Sequence, residues 1–366
     1  MISKKVTHLI TTIERGGAEN QLLILARNQV SQGFEVEVFY LKGKPELKAK
    51  FENVGVKVNS LLVNQPFIYQ VTKFRKFLRT NESPVHTHLP QAELVASLAC
   101  KKKKFIISRH NFEPFWPNKP KLFSVLLSRF TSSRASGGIA ISNAVKNYLL
   151  VAKEIDSNFK ISVVYYGFDQ DESDLLEFNE VIDEKLNSTK NFKLGTIGRL
   201  VPGKNYPTML KAVAKIASIV PTIKFFIVGG GSSEQELIKM SKDLKIEDNV
   251  IWLGRTEHIR EILSKIDLFI FASKGEGFGL VLLEAMLANK PILAANNSAI
   301  PEVLGSNYKG LFSTDDYVLL SERIIDLMNG QTNSESLVSS YAEQIKLFAP
   351  IDMAANVLKV YKAAGF

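Results

Sequence analysis

Cysteine is almost absent: Cys100 is the only one in 366 residues. That excludes an intrachain disulfide and any site built from several thiolates, and it fits a reducing compartment. Cys100 itself reads as a small core residue. Long apolar runs are missing as well. After Lys4 and Lys5, the residues Thr7, His8, Thr11, Thr12 and Glu14 interrupt the apolar stretch, so no signal-peptide core forms, and no later run reaches the length of a membrane span. The expected location is the cytoplasm, with peripheral attachment to the inner face of a membrane as a variant. There is no internal repeat and no low-complexity tract beyond Lys101–Lys104.

What is present has ordinary globular proportions, 45% apolar and 23% charged, which argues against disorder, collagen-like repeats and coiled coils. A chain of this length exceeds what one core usually accommodates, so two domains are expected. The net charge of +9 is unevenly placed. Residues 1–168 carry 25 Lys+Arg against 11 Asp+Glu, and residues 169–366 carry 21 against 26, so the two parts are +14 and −5. The first part therefore suits an anionic partner, a membrane surface or nucleic acid. Solubility alone is the plain alternative.

Residues 5–10 and 35–41 read as strands around a helical segment, 16–32, that ends at Gly33. Further strands at 105–108, 137–141 and 161–164 alternate with helix-length segments at 90–100, 120–131 and 142–152, which predicts a parallel sheet with helices on both faces. The acidic stretch 169–184 reads as a connection. A second series then begins with strand 193–197, helix 206–219, strand 223–228 and helix 233–244. It continues with strand 250–252, helix 258–264, strand 267–271, helix 280–289 and strand 291–294. The expected domains are 1–168 and 169–345, with a C-terminal helix in 346–366 returning toward the first. The fold class is thus α/β, two doubly wound Rossmann-like domains facing a central cleft into which the strand carboxyl ends point.

The strand Asp267-Leu-Phe-Ile-Phe271 is followed by Ser273-Lys-Gly-Glu-Gly-Phe-Gly-Leu-Val-Leu-Leu-Glu284, a glycine-rich turn running straight into a helix. Gly275, Gly277 and Gly279 let the backbone approach a ligand, and a helix amino terminus favours a phosphate. Glu276 stays in the turn. Glu284 lies more than one turn into the helix, where its carboxylate could accept from two neighbouring ligand hydroxyls. Glycines alone would merely shape a tight turn, and this spacing is not the dinucleotide fingerprint. A second loop, Gly198-Arg-Leu-Val-Pro-Gly-Lys-Asn205, follows strand 193–197. Arg199 and Lys204 leave the same loop and can converge on one anion, the arginine as a fork and the lysine as a point charge.

Together these motifs resemble the retaining glycosyltransferases of family 4, which have the two-domain GT-B fold, and the resemblance covers essentially the whole chain. It implies Arg199 and Lys204 on a donor diphosphate, Glu276 on the donor sugar hydroxyls and Glu284 on the ribose hydroxyls. It further implies backbone contacts from Phe278 and Gly279, with Arg255, Gly277 and Leu280 also around the nucleotide. In the first half, Gly16-Gly17-Ala18-Glu19 stands after the first strand and opens a helix, a place for phosphate or acceptor. His110, in Arg109-His110-Asn111, resembles the family's sugar-contacting histidine. Tyr166-Gly167-Phe168-Asp169 resembles the family's Asn-Gly-x-Asp turn with Tyr166 in place of asparagine.

The resemblance implies transfer of a hexose or N-acetylhexosamine from a nucleoside-diphosphate sugar, UDP being the expected nucleotide, to a hydroxyl of a lipid-linked or surface glycan. No cofactor beyond the donor substrate, and no metal, is expected. His86 and His88 share one face if their segment is extended, but no third ligand appears at a recognisable spacing. A nucleotide-sugar epimerase of the same architecture would differ in lacking an acceptor, and a phosphorylase would carry a pyridoxal lysine. A basic nucleic-acid-binding protein is a further alternative, although no recognised motif accompanies the charge. The segment Lys73-Phe-Arg-Lys-Phe-Leu-Arg79, with Lys101–Lys104, Phe112, Phe115 and Trp116, is the expected membrane-facing surface of the first half.

Overall fold

Runs such as Phe105-Ile-Ile107 and Leu268-Phe-Ile-Phe271 offer no polar face, and a strand of that kind is stable only when covered on both sides. Both settle as inner strands of parallel sheets in the computed structural model, which describes residues 4–81, 83–101, 104–117, 119–169, 180–187 and 191–366. The acidic connection read at 169–184 and the lysine run at 101–104 fall partly outside those residues. The chain forms two compact units, 1–169 with 348–366, and 170–347.

The first unit holds β1 (Lys5–Ile10), β2 (Glu35–Tyr40), β3 (Lys57–Asn59), β4 (Val85–His88), β5 (Phe105–Arg109), β6 (Gly137–Ala140) and β7 (Ile161–Val163). They pair in the order β3-β2-β1-β4-β5-β6-β7, all parallel. Alternation along β5 shows both faces at work. Phe105 and Ile107 enter one core with Leu9, Phe39, Phe74, Val85 and Val95. Ile106 enters the other with Ile24, Ile139, Met353, Val357 and Tyr361, so the last helix, Pro350–Ala363, is part of this unit's core.

The second unit holds β8 (Lys193–Ile197), β9 (Lys224–Val228), β10 (Val250–Gly254), β11 (Leu268–Phe271), β12 (Ile292–Ala295) and β13 (Leu311–Phe312). Their order is β10-β9-β8-β11-β12-β13, again parallel throughout. In each sheet the chain starts in the middle, builds to one edge and then jumps back across. The jump separates β1 from β4 and β8 from β11 in sequence while making them neighbours in space, and such switch points are where open α/β sheets bind ligands.

Three short strands, β3, β4 and β13, lie outside the pattern expected from sequence. The expected membrane-facing segment also needs correction. In the helix Phe67–Leu78, Val71 and Phe74 are buried in the first core and Phe77 and Leu78 pack against it, so the apolar residues of the segment 73–79 are already engaged, while Phe67, Ile68 and Tyr69 at the start of the helix are exposed. Phe115 is buried too, under the Arg109 guanidinium at 4.5 Å from its ring. Arg109 is in turn enclosed by Glu93 at 3.0 Å, Glu154 at 3.5 Å and the hydroxyls of Ser128 at 2.8 Å and Thr131 at 3.2 Å. Burial pushes the Glu93 carboxyl up to about 7 against the opposing pull of Arg109.

Candidate functional site

In the second sheet, neighbouring strand ends deliver the implied donor residues side by side. β8 ends in the loop carrying Arg199 and Lys204. Its neighbour β11 ends in the turn carrying Glu276. The two loops are tied by backbone, since Lys274 N donates to Gly203 O at 2.8 Å and the Ser273 hydroxyl donates to the same oxygen at 3.1 Å. Across this seam the Lys204 ammonium forms an ion pair with the Glu276 carboxylate. Glu276 is buried, and Lys204 also sits over the Phe271 ring at 5.3 Å. A carboxylate so enclosed needs a cation or several donors, and Lys204 meets that need.

The turn around Glu276 is held from behind. Glu276 N donates to the Ser298 hydroxyl at 2.9 Å, and that hydroxyl donates to Asn297 Oδ1 at 2.8 Å. The Asn297 amide donates to Ser273 O at 2.9 Å and to the Thr314 hydroxyl at 2.6 Å. Gly279, at φ +96, is the left-handed residue preceding the helix Leu280–Leu287, and having no side chain it leaves that helix start without a side-chain cap of its own. Phe278 is buried beside it. Glu284 lies one turn further along, where burial pushes its carboxyl up to about 7 with Arg260 opposing the shift.

Gly229-Gly230-Gly231, at the end of β9, escaped the sequence reading although three consecutive glycines at a strand terminus are a visible signal. Leu200 N donates to Gly230 O at 3.1 Å and Ser233 N to Leu200 O at 2.9 Å. A Cβ on Gly229 would collide with the Gly198 carbonyl, and one on Gly231 with that of Leu200. The glycines are therefore the floor on which the Arg199 loop rests. A Cβ on Gly230 would come 2.9 Å from Arg255 Nε, which places Arg255, at the end of β10, beside the same loop. Arg199 and Arg255 are both exposed. Asn297 and Ser298 were missed as well, and no local signal marks them.

The first unit places its implied residues on three adjacent strands. Gly16 and Gly17 follow β1 and open the helix Gly17–Ser31, where the Thr12 hydroxyl donates to Glu19 at 2.6 Å. His110 follows β5. Both ring nitrogens of His110 have protein partners: Nδ1 lies 2.6 Å from the Tyr166 hydroxyl and Nε2 lies 3.1 Å from His88 Nδ1. His86 and His88 do share one face of β4, both buried. A third imidazole, His8 of β1, brings the ligand atoms of His8, His86 and His88 within 4.8 Å of one another. Sequence spacing could not show this, because β1 and β4 are neighbours only through the switch point. Tyr166 and its turn are anchored by Gly167 O accepting from Gln21 at 2.9 Å and by an Arg27–Asp169 ion pair.

Comparison with known proteins bears on both units. Residues 15–172 match the model described as Glycosyltransferase Family 4, and residues 178–345 match Glycosyl transferases group 1. The chain belongs to the family 4 type of glycosyltransferases. A GalNAc-α-(1→4)-GalNAc-α-(1→3)-diNAcBac-PP-undecaprenol α-1,4-N-acetyl-D-galactosaminyltransferase of Campylobacter jejuni is 27% identical over 362 residues, 94% of each chain. The phosphatidylinositol N-acetylglucosaminyltransferase GPI3 subunit of Saccharomyces cerevisiae is 24% identical over 258 residues, 69% of this chain. That alignment spans about half, 54%, of the yeast protein. Anabaena HepE, solved with UDP-glucose, superposes with a TM-score of 0.80 at 21% identity over 98% of this glycosyltransferase and 99% of that chain. Such neighbours fix the architecture as GT-B, two Rossmann-like α/β domains.

The glycine floor gives a direct test of the second unit. Gly229→Ala and Gly231→Ala should each cost roughly 1 to 3 kcal/mol through backbone collision. Gly203→Ala, with nothing within 4 Å of the added carbon, should be neutral or slightly stabilising. Urea unfolding of the three variants decides it, and equal stabilities would remove the floor.

Proposed function

We propose that this glycosyltransferase moves a hexose or N-acetylhexosamine from a nucleoside-diphosphate sugar, with retention, to a hydroxyl of a lipid-linked or surface glycan. The Lys204–Glu276 pair at the switch point of the second sheet carries the reading. It sets a cation and a hydroxyl acceptor next to a helix amino terminus, the combination that a sugar diphosphate requires. During transfer, negative charge grows on the departing diphosphate, and Lys204, Arg199 and the helix start stabilise it in place. Glu276 accepts from the donor sugar hydroxyls. The leaving phosphate takes the acceptor proton, so neither Glu276 nor Glu284 acts as a general base and no metal is needed to neutralise the leaving group. UDP is the nucleotide we assign, in line with the HepE complex, and Glu284 is assigned to its ribose. The acceptor class follows the polyprenyl-linked glycan in the name of the Campylobacter relative.

A membrane-borne acceptor gives meaning to one helix of the first unit. In Lys121–Arg134 the buried residues are Ser124, Ser128, Thr131 and Ser132, while Leu122, Phe123, Leu126 and Phe130 are exposed. The polar side faces in and the apolar side faces out, with Lys121 and Arg129 beside it. No helix among the described residues is long and apolar enough to cross a membrane. In a part of the chain with a charge balance of +14, this face suits peripheral docking on an anionic bilayer. It replaces the segment 73–79, whose apolar residues Phe74, Phe77 and Leu78 are buried in or packed against the core.

Screening nucleotide sugars by thermal shift should identify the donor, since a tight ligand raises the melting temperature by mass action. With that donor, Glu276→Ala and Lys204→Ala should each lower kcat by about 100-fold or more with far-ultraviolet circular dichroism unchanged and wild-type turnover indifferent to EDTA; near wild-type turnover in either variant rejects the site. The pH dependence follows from Glu284. Its free carboxyl is raised to about 7, and ribose hydroxyls donate best to the ionised form. Affinity for UDP should therefore hold above pH 7 and fall about tenfold from pH 8 to pH 6 as the ionised fraction drops. Calorimetry on wild type and Glu284→Gln checks this, and an equal slope in the variant assigns the effect elsewhere. Finally, Leu122→Ser with Leu126→Ser should abolish salt-sensitive co-sedimentation with anionic vesicles. Binding that survives the double change, or never occurs at low salt, removes the docking helix.

A further inference from the structure

Four of the five histidines lie in the first unit in one hydrogen-bonded series. His8 Nε2 is 2.8 Å from Gln29 Oε1, and His8 Nδ1 is 3.0 Å from His88 Nε2. His88 Nδ1 is 3.1 Å from His110 Nε2, and His110 Nδ1 is 2.6 Å from the Tyr166 hydroxyl. A neutral imidazole has one donor and one acceptor, so such a series has only two self-consistent directions. Gln29 selects between them. Its amide nitrogen donates toward the Tyr361 hydroxyl at 3.4 Å, which leaves its carbonyl oxygen facing His8.

A carbonyl oxygen only accepts. His8 therefore holds its proton on Nε2 and presents a bare Nδ1, to which His88 donates from Nε2. His110 donates from Nε2 to the bare Nδ1 of His88, and Tyr166 donates its hydroxyl to the bare Nδ1 of His110. The other arm agrees: Tyr361, receiving from Gln29, donates to His86 Nδ1 at 2.9 Å, and His86 donates from Nε2 to the Ser108 hydroxyl at 2.7 Å. Burial holds the rings neutral, pushing His8 down to about 4 and His110 to about 3, with His86 and His88 also well below the usual range. The series ends on an amide, which takes up no proton. What it transmits is therefore tautomer and ring orientation rather than protons.

We infer that His8 and His88 are positioning residues that hold His110 as its Nε2–H tautomer, and that the Tyr166 hydroxyl occupies the place at His110 Nδ1 that a substrate hydroxyl takes over. This rests on the reading that His110 meets substrate. A bare Nδ1 accepts from O–H and offers nothing to a phosphate or carbonyl oxygen, so the ligand group it recognises is a sugar or acceptor hydroxyl. A cavity of about 30 Å³, lined by His86, His88, Ser108, His110 and Tyr166 among others, has room for a water that keeps the displaced phenol paired.

Nitrogen-15 NMR of the histidine rings in the full chain tests the series. With five histidines the resonances can be assigned by single substitutions. His8, His88 and His110 should each be neutral, protonated at Nε2 and bare at Nδ1 between pH 6 and 8; a proton on His110 Nδ1, or a charged ring, overturns the positioning role. Tyr166→Phe keeps the ring and removes the competing hydroxyl. It should lower KM for the sugar substrate by about two- to tenfold, the worth of one hydrogen bond, with kcat within about twofold. A raised KM or a lost kcat overturns the exchange of hydroxyls. His88→Leu should leave His110 with mixed tautomers and a reduced kcat, and should it fail to fold, the wild-type spectrum still decides. His110→Ala with wild-type kinetics would overturn the substrate contact alone, because the spectrum reports the series independently of activity.

Discussion

The ion pair between Lys204 and Glu276 is the contact on which the candidate donor site depends. The two residues are 72 positions apart and meet only because β11 pairs with β8. Removing a carboxylate from water without a partner is costly, and a buried pair repays its desolvation only with good geometry and additional hydrogen bonds. Each requirement is met by a distinct part of the unit. The glycines after β9 set the height of the Arg199 loop, Gly203 O joins it to the turn after β11, and Ser298 and Asn297 after β12 hold that turn in place. The pair is thus a product of the strand order, and the strand order is what a slip in any of these loops would make useless.

The first unit concentrates its buried polarity at the corresponding place. His8, His86, His88, Ser108 and Arg109 lie on β1, β4 and β5, around the switch point between β1 and β4, and further buried polar residues of the helices, among them Gln29, Glu93, Ser128 and Thr131, reach them. Buried polar networks cost stability unless every member is satisfied. In this unit each ring nitrogen of the four imidazoles has a partner, in another imidazole or in Gln29, Ser108, Tyr166 or Tyr361, and Arg109 meets two carboxylates and two hydroxyls, while its Nε, Glu93 Oε1 and Glu154 Oε2 make no hydrogen bond among the described residues.

Much of this arrangement is legible in sequence, and the remainder is not for identifiable reasons. Strands such as Phe105-Ile-Ile and Leu268-Phe-Ile-Phe are apolar throughout, so their place in a parallel sheet follows from composition. β4 escapes because Val-His-Thr-His looks polar; it is a strand with all four residues buried because its histidines find partners on β1 and beyond β5. β3 and β13, of three and two residues, are too short for any period to show. For the candidate site, the turn before Leu280 and the Arg199 loop announce themselves locally, as a strand followed by glycines and a helix. Ser298, Asn297 and His8 do not, since what each touches is set by which strands become neighbours.

The helix Lys121–Arg134 shows how one buried charge can shape a surface. Arg109 ends a strand inside the unit, and its guanidinium carries five donors that seek partners, although Nε finds none among the described residues. Glu93 and Glu154 supply charge, but hydroxyls are also needed, and they come from Ser128 and Thr131 of this helix, with Ser124 accepting from Trp116 N at 2.9 Å nearby. A helix that turns its serines and threonine inward must turn something else outward. At helical spacing the remaining positions are Leu122, Leu126 and Phe130, one above the other, and these are the residues left exposed. The apolar face and the buried arginine are therefore two sides of one arrangement. A core built the ordinary way, with the leucines inward, would have left Arg109 unanswered and the outer face polar.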